Sequence, residues 1–406
     1  MAYTSDIRNH FPIFRHHPDL TYLDSAATTL KPETVIDAER EYLERYSTNV
    51  GRGLYPLAEK ATDTFEMTRQ KTAAFIGARN EKEVIFTDGA TASLNLAARL
   101  LESLVTPKDN ILATVLEHHS NFLPWKELAT RTGAEFRVAP IDTDECVDRD
   151  ALVDMTDEHT KIVAFSAVSN VIGGINPVSE IVKRIKEKNP HAVVVVDAAQ
   201  AIGHQPIDVS LWNADFVAFS AHKAFGPTGV GVLFGKEALL ETLPPVSFGG
   251  GMVLESCAET PKYREIPFRF EAGTPNIGGV IAWGAAIDFM KNIGVENIRA
   301  HEETLTKYAL EKLSGAFGKT IRLIGPKDAK KRSGIIAFAI HGMHPHDIAH
   351  LLGESNICVR AGEHCAAPLH RALNLDATTR LSFSVYNSKE DIDRLIKRLK
   401  EIRKIL

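Results

Sequence analysis

The sequence predicts an α/β fold, with a mainly parallel central sheet covered by helices and a smaller α+β unit at the C-terminus. Three observations predict it. Val193–Val196 is a continuous β-branched run, the pattern of a parallel strand buried on both faces. Short apolar runs alternate with helical patterns through the first two-thirds of the chain. Beyond about residue 290 the alternation gives way to a mixed pattern of helices and half-buried strands. The expected organisation is an arm over residues 1–20 packing on the body, a large domain over 21–294 and a small domain over 295–406.

Taken in order, Thr21–Leu23 reads as a short strand running into the small-residue loop Asp24–Thr29. Helices are expected over Pro32–Tyr46 and Ala58–Phe75. Val84–Phe86 is a strand that feeds Thr87-Asp88-Gly89-Ala90-Thr91 and then a helix with Leu94, Ala97, Ala98, Leu101 and Val105 on one face. That turn is either a phosphate cradle at a helix N-terminus or a plain set of caps. Strands at Asn110–Val115 and Lys161–Ala167 each end in a polar loop, and Ser179–Lys188 is a helix stopped by Asn189-Pro190. In the tail, helices are expected near Val295–Ser314 and Pro345–Glu354. Strands are expected at Ile335–Ile340, Ile357–Arg360 and, half-buried, Arg380–Asn387. A last helix opens on the capping-box pattern Ser388-Lys389-Glu390-Asp391 and turns Ile392, Leu395, Ile396, Leu399 and Ile402 inward.

Composition excludes several classes. A net charge of −5 leaves no nucleic-acid footprint. No apolar run is long enough to span a membrane, and MAYTSDIRNHFPIFRHHPDL lacks the apolar core of a secretory signal. Four cysteines, Cys146, Cys257, Cys358 and Cys365, lack CxxC spacing, which argues against a disulfide scaffold or zinc ribbon and for a reducing cytoplasm.

The candidate chemistry centres on two strand ends. Asp197 follows the valine run, and Phe216–Phe219 delivers Ser220, His222 and Lys223 into a loop with Gly226, Gly229 and Gly231. The carboxyl edge of such a sheet is where ligands bind. A lysine able to form a Schiff base, paired with a carboxylate able to hold a pyridine nitrogen protonated, suits pyridoxal phosphate. Further along, Cys365 lies in the loop Arg360–Pro368 as a nucleophile activated by Arg360 or His364, or as an inert thiol. His118 is a ring that stacks on a flat cofactor or a solvated cap. Arg380 is a carboxylate clamp or an ion-pair partner. The histidines of His341–His350 invite a metal reading, but Pro345 and the apolar Ile348, Leu351 and Leu352 favour a helix start, and no metal is expected.

With these residues in view, the chain resembles the class V, fold-type-I pyridoxal phosphate enzymes, and among them the SufS-type (group II) cysteine desulfurases, from about Pro12 to the C-terminus. The motifs are LDSAATTLKP at 23–32, NVGRG at 49–53, EHHSNFLPW at 117–125, VSNVIGGINP at 168–177 and VDAAQAIGH at 196–204. FSAHKAFGPTGVG at 219–231, RFEAGTPN at 269–276 and RAGEHCAAPL at 360–369 complete the set. The resemblance implies that Lys223 bonds pyridoxal phosphate and moves protons, Asp197 pairs with its ring nitrogen and Gln200 meets its ring oxygen. It implies that His118 stacks on the ring, that Thr91, Ser220 and His222 hold the phosphate beside Ala90, and that Thr274 reaches the cofactor of a second subunit. Asn170, Arg380 and Arg360 are then substrate-binding, and Cys365 accepts sulfur from L-cysteine.

The same resemblance implies a cytoplasmic homodimer that passes sulfur to an acceptor or scaffold protein for iron–sulfur cluster assembly. Selenocysteine lyase, or a related lyase of the same class, is the alternative. Three departures from the family pattern stand out: Tyr55 with Gly51 in the arginine arm, Ala90 in place of a hydroxyl residue, and Glu363 two residues before Cys365. A carboxylate so placed disfavours the thiolate unless His364 or Arg360 offsets it.

Overall fold

In the computed structural model, residues 7–255 and 261–404 are described; Cys257, one of the four cysteines, lies outside them. Alternation in the buried strands sorts their side chains onto two faces. Val194, Val196, Val217, Phe219, Val163 and Phe165 enter one core, whereas Val193, Val195, Phe216, Ala218, Ile162 and Ala164 enter the other. Each such valine, withdrawn from water, contributes about 1.5–3 kcal/mol. Helices Pro56–Phe75, Val178–Lys188 and Ile277–Ile293 cover the first face, and Ala90–Leu101 and Leu123–Thr132 cover the second.

Among the described residues the sheet has seven strands. In spatial order they are Val84–Thr87, Gly231–Gly235, Phe216–Ser220, Val193–Asp197, Thr160–Ser166, Asn110–Thr114 and Glu135–Ala139. Gly231–Gly235 is antiparallel to both neighbours and the other pairings are parallel. Val193–Asp197 and Phe216–Ser220 are adjacent and parallel, with Asp197 opposite Ala218. Their carboxyl ends therefore open on one edge. Gly231 is required here: a Cβ would stand 2.4 Å from Gly89 Cα, so only glycine lets the helix start at Ala90 approach this edge.

The C-terminal residues form a four-stranded antiparallel sheet in the order Ile321–Ile324, Ile335–Ile340, Thr378–Ser382, Arg360–Gly362. Gly294, with φ of 84°, links helix Ile277–Ile293 to helix Val295–Phe317. The final helix is Lys389–Ile402; the Ser388 amide donates to Asp391 Oδ2 at 3.1 Å, and the expected apolar face is buried.

Two strands differ from expectation. The single strand expected at Ile357–Arg360 is two: Ile357–Cys358 pairs with Thr21–Tyr22, and Arg360–Gly362 pairs with Thr378–Ser382. The alternating strand expected at Arg380–Asn387 is Thr378–Ser382, buried at every residue because the large sheet's loops close its second face. Thr21–Tyr22 joins the C-terminal unit rather than the large sheet, and Leu23 belongs to that unit's core. The arm docks through Phe11, fully buried against Phe225, Phe289 and Tyr386. No helix among the described residues is long and apolar enough to cross a membrane. The histidine run begins helix Pro345–Gly353, and the His344 side chain caps it.

Candidate active site

A cavity of about 470 Å³ opens at the carboxyl edge of the large sheet. Its wall holds Lys223, Asp197, Gln200, His118, Ala90, Thr91, Ser220, His222, Asn170, Arg360, Arg380 and Cys365. Residues from both units thus meet in one space. Thr274 is elsewhere, lining a separate cavity beside Asp88 and Asn276.

Asp197 is buried, with one carboxylate oxygen accepting from the Ala199 amide at 2.8 Å. Burial raises its pKa, while that hydrogen bond and the Lys223 charge oppose the rise. Burial pushes the Lys223 amine down to about 8, with Asp197 opposing. A lysine poised in this range is the neutral, nucleophilic amine far more often than an ordinary lysine.

The turn that carries Lys223 is clamped from the N-terminal loop. The His222 carbonyl accepts from Thr28 Oγ1 at 3.0 Å, the Thr29 amide at 3.0 Å and Lys31 Nζ at 3.1 Å. Burial lowers the Lys31 amine to about 7.

Around the helix start, Ser220 Oγ accepts from the Ala90 amide at 2.7 Å, and Thr91 Oγ1 meets Ser120 Oγ at 2.7 Å. A helix N-terminus and three hydroxyls converge there, the chemistry that binds an anion. His118 Nδ1 accepts from the Ser120 amide at 3.1 Å, so its proton sits on Nε2. Burial, with Lys223 and other cations adding to it, lowers the ring to about 3 and keeps it neutral.

The two arginines share one partner. Asp24 accepts from Arg360 Nη2 at 2.8 Å and from Arg380 Nη2 at 3.3 Å. Arg380 Nη1 also donates to the Asn170 carbonyl at 2.9 Å, and Asn170 Nδ2 donates to the His364 carbonyl at 2.7 Å. The cysteine loop is fixed from a second side by the His119 amide, which donates to the Cys365 carbonyl at 2.7 Å. His364 and Cys365 both hold positive φ, 51° and 57°, a backbone that side-chain-bearing residues adopt at a cost. Cys365 is exposed at the tip. Its sulfur faces charges on Lys223, Arg360 and Arg380. His364 is buried and its pKa is lowered well below the usual range, so it is neutral and supplies no cation to the thiol. Of the two offsets expected from sequence, only Arg360 carries charge.

The family model that matches, aminotransferase class-V, spans residues 21–395. The chain belongs to the aminotransferase class-V family. Among curated proteins it is 44% identical to a probable cysteine desulfurase of Streptomyces coelicolor, covering 98% of this chain and 97% of that one. It is 40% identical to a cysteine desulfurase of Escherichia coli, over 100% of both chains. Among solved structures it resembles the apo cysteine desulfurase of Thermococcus onnurineus NA1, with a TM-score of 0.93 and 38% identity over 99% of this chain and 98% of that one. The cysteine desulfurase CsdA of Escherichia coli, solved with an S-sulfonic acid, gives a TM-score of 0.89 and 34% identity over the same shares.

Within this class-V site, sequence reasoning missed Asp24, Lys31, Ser120 and Thr378. Asp24 lies more than 330 residues from both arginines it holds, so no local pattern exposes the pairing. Ser120 and Lys31 stand inside quoted motifs and differ from ordinary loop residues only once the chain is folded.

Glu117, just before His118, is also buried. It accepts from Thr114 Oγ1 at 2.6 Å, Asn121 Nδ2 at 2.6 Å and the Ser166 amide at 3.1 Å. Burial outweighs these bonds and raises its pKa from 4.5 to about 8. A raised carboxyl stabilises the fold fully below its unfolded pKa and loses that contribution as pH climbs through the folded value. Melting temperature should therefore fall from about pH 4.5 to about pH 8 through this group. Glu117→Gln, a neutral isostere, should flatten that slope; an unchanged slope in thermal melts across the range would refute the assignment.

Proposed function

We propose that this chain is a SufS-type cysteine desulfurase that uses pyridoxal phosphate to take sulfur from L-cysteine, leaving L-alanine and a persulfide on Cys365. The observation that carries this reading is that Lys223, Asp197 and Cys365, from two structural units, line one cavity. The names of the relatives and of the solved structures support it.

The residues present fit the cofactor. Gln200 spends its Nε2 on the Ala26 carbonyl at 2.8 Å and leaves Oε1 buried without a partner, an acceptor for a ring hydroxyl. His222 Nδ1 is likewise buried and unpartnered. Lys223 would hold the aldehyde carbon, Asp197 the ring nitrogen, His118 the ring face, and Thr91, Ser220, His222 and the helix start at Ala90 the phosphate. When bound, pyridoxal phosphate supplies an electron sink for charge that develops at the substrate Cα.

The chain's own residues do the rest. Arg380 and Arg360, oriented by Asp24, receive the substrate carboxylate, and Asn170 braces the loop between them. Lys223 Nζ takes the proton from the substrate Cα. The Cys365 thiolate attacks the substrate sulfur: an S–S bond forms, the Cβ–S bond breaks, and the carbon skeleton leaves as L-alanine after gaining a proton at Cβ and regaining one at Cα from Lys223 Nζ. Cys365 keeps the sulfur and surrenders it to an acceptor protein for iron–sulfur cluster assembly. The chain works as a cytoplasmic homodimer, with Thr274 reaching the second subunit's cofactor and Gly294 marking the boundary between its two domains.

Alanine and sulfide released from L-cysteine, together with a Cys365 peptide heavier by one sulfur atom, test the reading; alanine without the modified peptide would sink the persulfide step. A further result is expected from pH. The rate at which cofactor-stripped protein takes up pyridoxal phosphate should rise about tenfold from one unit below to one unit above the Lys223 pKa of about 8, as the amine loses its proton. A midpoint at or above the ordinary lysine value of 10.5 would overturn the burial argument.

A further inference from the structure

A buried arginine outside the cavity wall fastens the two structural units together. Arg332 is fully buried, and its guanidinium donates to four backbone carbonyls. Nε reaches Ile335 at 3.2 Å, Nη1 reaches Pro326 at 2.8 Å, and Nη2 reaches Ile172 at 2.6 Å and Ile324 at 3.0 Å. Three of these carbonyls belong to the C-terminal unit and Ile172 to the large one. Burial lowers the pKa of the group, with Cys146 and Glu145 opposing the fall, and it remains a cation at neutral pH. Glu145 is itself engaged by Arg322 Nη2 at 2.8 Å and the Gly325 amide at 2.6 Å. A buried charge is costly unless hydrogen bonds satisfy it, and here backbone carbonyls do so. Only a planar fork of five donors spans such a set; a lysine amine concentrates three donors at one point.

The large unit's share of this junction is a short hairpin. Val168 pairs antiparallel with Ile175, and the Ser169 amide donates to the Gly174 carbonyl at 3.0 Å. Its tip is seated on the C-terminal unit: the Ser333 amide donates to the Gly173 carbonyl at 2.8 Å, and the Ile175 amide to the Lys331 carbonyl at 3.0 Å. Gly173, at φ of 70°, has no room for a side chain, since a Cβ would stand 2.5 Å from the Ile335 carbonyl oxygen. The same hairpin carries Asn170, two residues before the carbonyl that Arg332 grips. Asn170 accepts from Arg380 through its own carbonyl and donates through Nδ2 to the His364 carbonyl.

We propose that Arg332 is a positioning residue: by fastening the Ile172 carbonyl to the C-terminal unit, it sets the hairpin where Asn170 meets both Arg380 and the cysteine loop. The inference rests on the reading of Arg380 and Asn170 as the groups that receive the substrate and brace the loop. Lys223 and Asp197 stand at other strand ends, so cofactor uptake does not depend on Arg332.

The test reads backbone exchange and substrate affinity in the whole protein. Hydrogen–deuterium exchange with mass spectrometry follows peptides covering residues 168–177 and 360–367. In Arg332→Met both should exchange faster by about 2- to 30-fold, the range for coupling passed through packed contacts. Arg332→Lys should do the same, because it keeps the charge and loses the fork. The KM for L-cysteine should rise by a similar factor in both variants, with pyridoxal phosphate uptake unchanged. Arg299→Met is the control. Arg299 donates to the Arg332, Lys330 and Ala329 carbonyls at 2.8, 3.0 and 3.4 Å, all on the turn before strand Ile335–Ile340. Its loss should leave exchange at 360–367 and the KM as they are. Gly173→Ala, which lifts the hairpin from the Ile335 carbonyl with Arg332 in place, should reproduce the Arg332 pattern and decides the outcome where the Arg332 variants do not fold. Unchanged exchange at 360–367 in the Arg332 variants or in Gly173→Ala, or an equal rise in Arg299→Met, would overturn the proposal. Exchange needs no turnover, so an unaltered protein that releases no alanine would sink the desulfurase reading and leave this one to its own result.

Discussion

Cys365→Ala should lower alanine release from L-cysteine by about a thousandfold or more, because the substrate sulfur then has no thiolate to receive it. The cavity walls are otherwise intact in this variant: Asn170 holds the loop through the His364 carbonyl and His119 through the Cys365 carbonyl, both backbone groups. Uptake of pyridoxal phosphate should be unchanged. Selenocysteine as substrate separates the two readings of the site. Retained selenium release with lost sulfur release fits a desulfurase whose weaker C–Se bond breaks without the loop cysteine. Retained sulfur release would remove Cys365 from the mechanism altogether.

Lys223→Ala should abolish the yellow colour that added pyridoxal phosphate gives the protein and cut turnover by roughly 100- to 10,000-fold, the range for loss of a positioned proton carrier. Lys223→Arg should not rescue either property, since a guanidinium does not give up its proton in a protein. Colour retained in Lys223→Ala would mean that another amine, with Lys31 beside the His222 carbonyl a candidate, bonds the cofactor.

The large sheet and its ligand edge were legible in the sequence for a local reason. Val193–Val196 and Phe216–Phe219 are buried on both faces, so hydrophobicity alone marks them, and adjacent parallel strands carry Asp197 and Lys223 to the same edge. Glu135–Ala139 was not legible: it is an edge strand, exposed or half-buried over most of its length, and no apolar run marks it. Nor was Gly231–Gly235, whose leading glycine belongs equally to the loop before it and whose need for glycine comes from Gly89 across the sheet.

The cysteine loop divides the same way. Glycine and proline around Cys365 announced an exposed turn. The partners that hold it, Asp24 behind the arginines and Thr378 beneath His364, are set by tertiary contacts that no spacing encodes. Glu363 shows the limit most clearly. Sequence distance pairs it with Cys365, and the fold also sets its charge against His370, a partner no spacing suggests.

The pairing of Thr21–Tyr22 with Ile357–Cys358, and of Asp24 with Ser382, also orders events at the ribosome. These residues are made long before their partners. The large sheet can close around Lys223 and Asp197 while the chain is still growing. The segment that orients Arg360 and Arg380 must wait, unpaired, until those partners have emerged, and long-range closures of this kind come late. A ribosome stalled short of the last strands therefore carries a folded Lys223–Asp197 edge without the two arginines proposed to grip the substrate.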